Sequence, residues 1–139
     1  MSNETLEKDV MTRNRQTVER YMEAFARLDH AAVLDCLADD VEWVLPGAYH
    51  HRGKEAFDRE IENDAFTGAP LIRVDRVLEA GDVVVTEGRV RANPREGGHI
   101  HLAFVDVFDM KDGLIRRLVS YLMPVPAEQS ETRWAGEGA

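Results

Sequence analysis

The second half of the chain limits the fold most. Residues 70–125, "PLIRVDRVLEAGDVVVTEGRVRANPREGGHIHLAFVDVFDMKDGLIRRLVSYLMPV", are rich in β-branched residues and are cut by "EAGD", "NPREGG" and "MKDG", each with a glycine. Connections this short favour antiparallel neighbours, so the pattern predicts four strands joined as hairpins. The first half reads differently. Residues 4–28 lack Gly and Pro and carry Val10, Val18, Tyr21, Met22, Phe25 and Leu28 at roughly helical spacing. Asp29 can cap a second helix, "HAAVLDCLA", in which Ala32, Val33, Cys36 and Leu37 share a face and Asp39 and Asp40 end the element. "DVEWVLPG" alternates like a short strand, "AYHHRG" reads as a loop, and "KEAFDREIENDAF", after Gly53, reads as a third helix. The order helix, helix, strand, helix and four strands predicts an α+β fold with helices against one face of an antiparallel sheet.

At 139 residues the chain is expected to form a single domain, 1–139, with a core over about 15–124 and a polar tail, 125–139, in which Trp134 is the one large apolar anchor. Hydrophobic residues at 44% and charged residues at 31% suit an ordinary globular domain. A formal charge of -9, from 17 basic and 26 acidic residues, argues against a phosphate-tracking groove, so no nucleic-acid partner is expected. No apolar run approaches bilayer length, and the N-terminal "MSNETLEKDV" lacks the apolar centre of a signal peptide; no membrane contact and a cytoplasmic location are expected. The single cysteine, Cys36, fits the apolar rhythm around it and reads as a small buried hydrophobe.

One residue breaks the strand pattern. In "HIHLAFVDVFDM" successive side chains alternate between faces, so Asp106 shares a face with Leu102, Phe104 and Phe108. The opposite face carries His99, His101, Ala103, Val105 and Val107 and is also largely apolar. A strand apolar on both sides of a one-sheet domain predicts helices over one face and a second copy of the chain over the other. In "DVVVTEGRVRAN" the inward set is Val84, Thr86, Gly88, Val90 and Ala92, because the alternative would bury Glu87, Arg89 and Arg91. These inward residues are small, which leaves room for a cavity beside the helices.

The segments "ERYMEAFARLDHAAVLDCLADDVEWVLPG", "HRGKEAF" and "VDVFDMKDGLIRRLVSYL" resemble the SnoaL-like branch of the nuclear-transport-factor-two-like superfamily, across roughly residues 15–124. That superfamily also holds ketosteroid isomerases, polyketide cyclases and limonene epoxide hydrolase. The resemblance implies a cone: a curved antiparallel or mixed sheet wrapped around three helices, enclosing an apolar pocket and often dimeric through its convex face. It also chooses Leu118, Ser120 and Leu122 as the inward set of the last strand, which alternation alone leaves open.

Set against the ketosteroid isomerases, Tyr21 matches the phenol that donates to the substrate oxygen, and Asp106 matches the carboxylic acid that stays protonated and supplies a second donor. The position of the catalytic base, one residue before the proline of the first strand, holds Leu45. Leucine cannot take a proton, so the isomerase mechanism is not carried over whole. The Arg and two Asp of limonene epoxide hydrolase correspond to Gly88, Val90 and Ser120, which removes that chemistry. The cyclases need an inner-strand acid/base, a role open to Asp106, with His50 or His51 at the mouth as a proton shuttle. The expected site therefore comprises Asp106, Tyr21 and His50 as catalytic candidates and Phe25, Trp43, Leu45, Leu102, Phe104, Leu118 and Ser120 as ligand-lining residues. The expected ligand is a small apolar molecule with a carbonyl group, either turned over by acid/base isomerisation, cyclisation or dehydration or simply bound. His99 and His101 form an H-x-H without an evident third ligand, so no metal is expected, and no glycine-rich phosphate motif calls for a nucleotide cofactor.

Overall fold

The computed structural model describes residues 11–127. Helix α1 spans Arg13–Ala26 and starts where Thr12, in extended conformation, accepts the Arg15 backbone N–H at 3.1 Å. The helix expected from residue 4 therefore does not run through Thr12; residues 4–10 and Trp134 lie outside the described residues. A tight corner follows, with Leu28 at φ +56°, and Asp29 caps α2 (His30–Asp35) by accepting the Ala32 N–H at 3.1 Å.

Strand β1 runs Leu37–Leu45 and starts earlier than its sequence pattern suggested. Leu37 pairs with Ile115, whose N–H donates to the Cys36 carbonyl at 2.9 Å, and this pulls the chain out of helix directly after α2. Asp39 and Asp40 accordingly stand exposed in a strand and do not end a helix. A turn at 46–48 leads into β2, Tyr49–Arg52, which pairs antiparallel with β1, where the sequence suggested only a loop. Helix α3, Lys54–Ile61, stops short of residue 66: Asn63 accepts the Ala65 N–H at 2.8 Å, an Asx turn that competes with helix continuation.

The remaining strands are β3 (Leu71–Ala80), β4 (Val83–Ala92), β5 (Ile100–Lys111) and β6 (Leu114–Pro124), as the glycine turns predict. The sheet order is β2-β1-β6-β5-β4-β3, with β1 and β6 parallel and every other pair antiparallel. Irregular registers between Val74 and Arg76 and between Asp109 and Met110 add bend to this α+β cone, which is open at its edges. Gly88 is required by crowding: a Cβ there would lie 2.0 Å from the Arg73 carbonyl oxygen and 2.8 Å from the Phe104 ring.

The helices pack on the concave face. Val18, Tyr21 and Met22 of α1, Val33 of α2 and Phe57 and Ile61 of α3 join Val41, Trp43, Val84, Phe104, Phe108 and Leu118 in one core. A buried hydrogen bond from Thr17 Oγ1 to the Gly113 carbonyl, 2.7 Å, fastens α1 to the β5–β6 turn. The convex face leaves Leu78, Tyr121 and Met123 exposed. No helix among the described residues is long and apolar enough to cross a membrane.

Candidate functional site

Between the concave face and the helices lies a cavity of about 370 Å³. That is the size of a small-ligand pocket. Its wall is apolar where α1 and the middle strands meet, with Tyr21, Phe25, Trp43, Leu45, Leu102 and Phe104 all contributing. The alternation of β5 delivers Asp106 to this wall, opposite Ser120 on β6 and Thr86 on β4.

Three polar groups meet at the cavity floor. Trp43 Nε1 donates to Ser120 Oγ at 3.0 Å, and both residues are buried. Asp106 is 8% exposed, and burial pushes its carboxyl up to about 7, a rise only partly opposed by a hydrogen bond from Ser120. Tyr21 is held well above the usual phenol range, first by burial and then by the charge that Asp106 would carry. Aromatic edges fix both: Tyr21 meets Phe108 at 5.5 Å and Phe57 at 6.2 Å between ring centroids, and Trp43 stacks on Phe57 at 4.3 Å. A carboxyl that keeps its proton near neutral pH donates a hydrogen bond, and a phenol beside it can donate a second.

The structure separates the expected residues. Tyr21, Phe25, Trp43, Leu45, Leu102, Phe104, Asp106 and Ser120 line one cavity. Leu118 does not line it; paired with Phe108 and Trp43 in the register, it is fully buried beneath the floor. His50 is also elsewhere. Because β2 is a strand, His50 points to the convex side, where Nε2 lies 2.7 Å from Glu42 Oε1. His51 points the other way and meets Glu60 of α3, Nε2 to Oε1, at 2.9 Å. Sequence reasoning missed Glu60 and Tyr49, which both line the cavity; it placed Thr86 inward, where the structure buries a hydroxyl with no hydrogen-bond partner. The signal for Tyr49 and His51 was the alternation in "AYHHR" once that segment is read as the second arm of a hairpin. His99 contacts Asn93 at 2.8 Å, and no cluster of three or more potential metal ligands occurs among the described residues.

Residues 18–118 match the model of the SnoaL-like domain, well over half of the chain. The chain belongs to the SnoaL-like family. Solved structures agree on the fold of this SnoaL-like protein. An NTF2-like protein of unknown function from Burkholderia pseudomallei is 27% identical, with a TM-score of 0.72 over 87% of this chain and 97% of that one. A candidate polyketide cyclase from Xanthomonas campestris pv. campestris is 26% identical, with a TM-score of 0.72 over 85% of this chain and 93% of that one. A candidate ketosteroid isomerase from Kribbella flavida is 20% identical, with a TM-score of 0.65 over 85% of this chain and 86% of that one. Among curated proteins, none matches the sequence.

Proposed function

We propose that this SnoaL-like protein binds a small, mostly apolar molecule through a carbonyl group, with the carbonyl oxygen between Asp106 and Tyr21. The observation that carries the reading is Asp106 itself: a carboxyl buried in an apolar wall and pushed up to about 7, beside a phenol on the same cavity. Such a pair stabilises the negative charge that grows on a carbonyl oxygen when a neighbouring carbon loses a proton. Cofactor-independent isomerisation, cyclisation or dehydration is the chemistry this supports. A second reading, binding without turnover, is favoured by Leu45, which lines the cavity at the position where the isomerase pattern has its base.

Tryptophan fluorescence titration with 1-tetralone and with the hydrocarbon tetralin tests the reading. The ketone is expected to bind about tenfold more tightly below pH 7, and Asp106→Leu with Tyr21→Phe is expected to remove the preference. Equal affinity for ketone and hydrocarbon in the wild type would sink it. We further propose that a second copy covers the convex face, where Tyr121 is 52% and Met123 66% exposed. A monomer in native mass spectrometry at micromolar concentration counts against that partner.

A further inference from the structure

Asp106 can give a proton to an oxygen, but catalysis beside a carbonyl also needs a group that takes a proton from carbon, and Leu45 cannot. Glu60 has the position for it. It stands in the last turn of α3, lines the cavity and is only 23% exposed. Both of its oxygens are held: Oε1 by His51 Nε2 at 2.9 Å and Oε2 by Asn63 Nδ2 at 3.3 Å. The other carboxylates at the mouth are wetter, Glu62 at 59% side-chain exposure being engaged with His30.

His51 is fixed in turn. Its ring stacks on Tyr49 at 4.3 Å and 20°, and Tyr49 meets the Trp43 indole edge-on at 5.5 Å. Trp43 is the residue that bonds Ser120 beside Asp106. A continuous run of packed rings therefore connects the two carboxyl groups. Burial first, then the charge of Glu60 and then that of Asp106 push the Tyr49 phenol upward.

We infer that Glu60 is the proton acceptor of this cavity and His51 its positioning residue, acting on a ketone or enone that carries a C–H bond next to the carbonyl. The inference rests on the carbonyl-binding reading above. In the step, the C–H bond breaks and its proton passes to a Glu60 oxygen. The electron pair of that bond forms the C=C of an enol, and the carbonyl oxygen takes the proton of Asp106. Return of the Glu60 proton to the same or a conjugated carbon, and of the enol proton to Asp106, restores both groups without any oxidant or reductant. When His51 carries its proton on Nε2, it donates to Glu60 and holds the second lone pair toward the ligand.

The test is deuterium exchange at the carbon next to the carbonyl of 1-tetralone, followed by proton NMR in D₂O alongside the fluorescence titration. Wild type is expected to accelerate exchange, and Glu60→Gln to lower the protein-dependent rate about 100-fold while tetralone affinity stays within about twofold. His51→Leu is expected to lose about tenfold and to shift the pH–rate profile, whereas His51→Gln, which keeps an N–H near the same place, restores most of the rate. Exchange at the wild-type rate in Glu60→Gln overturns the inference, and so does loss of tetralone binding in that variant, which would make Glu60 a structural residue. Asp106-dependent binding in the wild type with no accelerated exchange overturns the inference and leaves the binding reading standing. Absence of any Asp106-dependent binding overturns the binding reading and this inference with it.

Discussion

The floor and the mouth of the cavity carry similar residue types and treat them in opposite ways. At the floor, Asp106 lies among Tyr21, Trp43, Phe104 and Phe108, and the carboxyl is driven toward its neutral form because the hydrogen bond from Ser120 repays only part of the loss of water. At the mouth, charges meet partners within reach of solvent. Arg95 donates from Nε to the Asp64 carbonyl at 2.9 Å, and His30 places Nδ1 2.7 Å from Asp58 while Nε2 engages Glu62. Burial, more than residue identity, decides whether an acid in this cavity acts as a hydrogen-bond donor or as a fixed charge. The polar groups of the floor, sunk in apolar walls, orient a ligand whose carbonyl is its only polar end, with the carbonyl toward Asp106 and Tyr21.

The largest effect should come from removing the rings that keep the floor dry. Phe57 is fully buried, stacks on Trp43 and meets Tyr21 edge-on. Phe57→Ala is expected to lose about 3–5 kcal/mol in urea unfolding. Glu62→Ala at the mouth should stay within about 0.5 kcal/mol. Equal losses would erase the contrast between the two regions.

The second effect is the pH dependence of Asp106. Its carboxyl rises from 3.8 to about 7 on folding, so between those values the unfolded chain has released a proton that the folded chain still holds. The folded state binds more protons there, and stability must fall as pH rises through that window and level off above it. The fall amounts to as much as about 4 kcal/mol. Asp106→Asn cannot titrate, and the difference between its urea midpoints and those of the wild type should shrink from pH 7 toward pH 4. A wild-type stability that is flat over this range would mean that water reaches the floor.

The floor was more legible in the sequence than the mouth, for a physical reason. Asp106 stands in a 12-residue strand whose alternation is long enough to fix its face, and the glycine turns on either side leave little choice of partner. Ser120 needed more than alternation, because its place depends on the parallel pairing of β6 with β1, far apart in the chain. β2 has only four residues, two of them histidines, so no periodicity stood out and the segment read as a loop. That one missed strand exchanged the roles of His50 and His51. Glu60 went unseen because a glutamate on a short amphipathic helix ordinarily belongs to its solvated side; only the fold shows that this side borders a cavity.

A third, smaller effect would sharpen the picture of a dry floor. Thr86 is fully buried directly across from Asp106 in the β4–β5 register, and its hydroxyl has no hydrogen-bond partner. Burying an unpaired hydroxyl costs free energy, so Thr86→Val, which keeps the shape and removes the polar atom, should stabilise the protein by about 1 kcal/mol. Destabilisation of that size would show that the hydroxyl is satisfied in solution.

The smallest effect belongs to the mouth and has its own pH window. His30 is raised above 6.5 mainly by its hydrogen bond to Asp58 and next by that to Glu62. The folded state therefore holds the His30 proton more tightly than the unfolded one. The stabilisation is complete below 6.5 and disappears as pH rises through the higher folded value. Its side chain is 35% exposed, so solvent screens the pairs and the gain should stay below about 1 kcal/mol. His30→Gln should cost that amount at pH 5.5 and progressively less as pH rises above 6.5 in urea unfolding, and salt should weaken it. The Asp106 effect runs from 3.8 to about 7, whereas the His30 effect begins to fade only above 6.5, and salt should leave the Asp106 effect almost untouched because the group is buried. Two acid-favoured effects that separate by pH window and by salt response would locate the boundary between the dry floor and the wet mouth without a ligand in hand. Equal salt sensitivity would place Asp106 on the solvent side of that boundary, and its role as a proton donor to a bound carbonyl would fail with it.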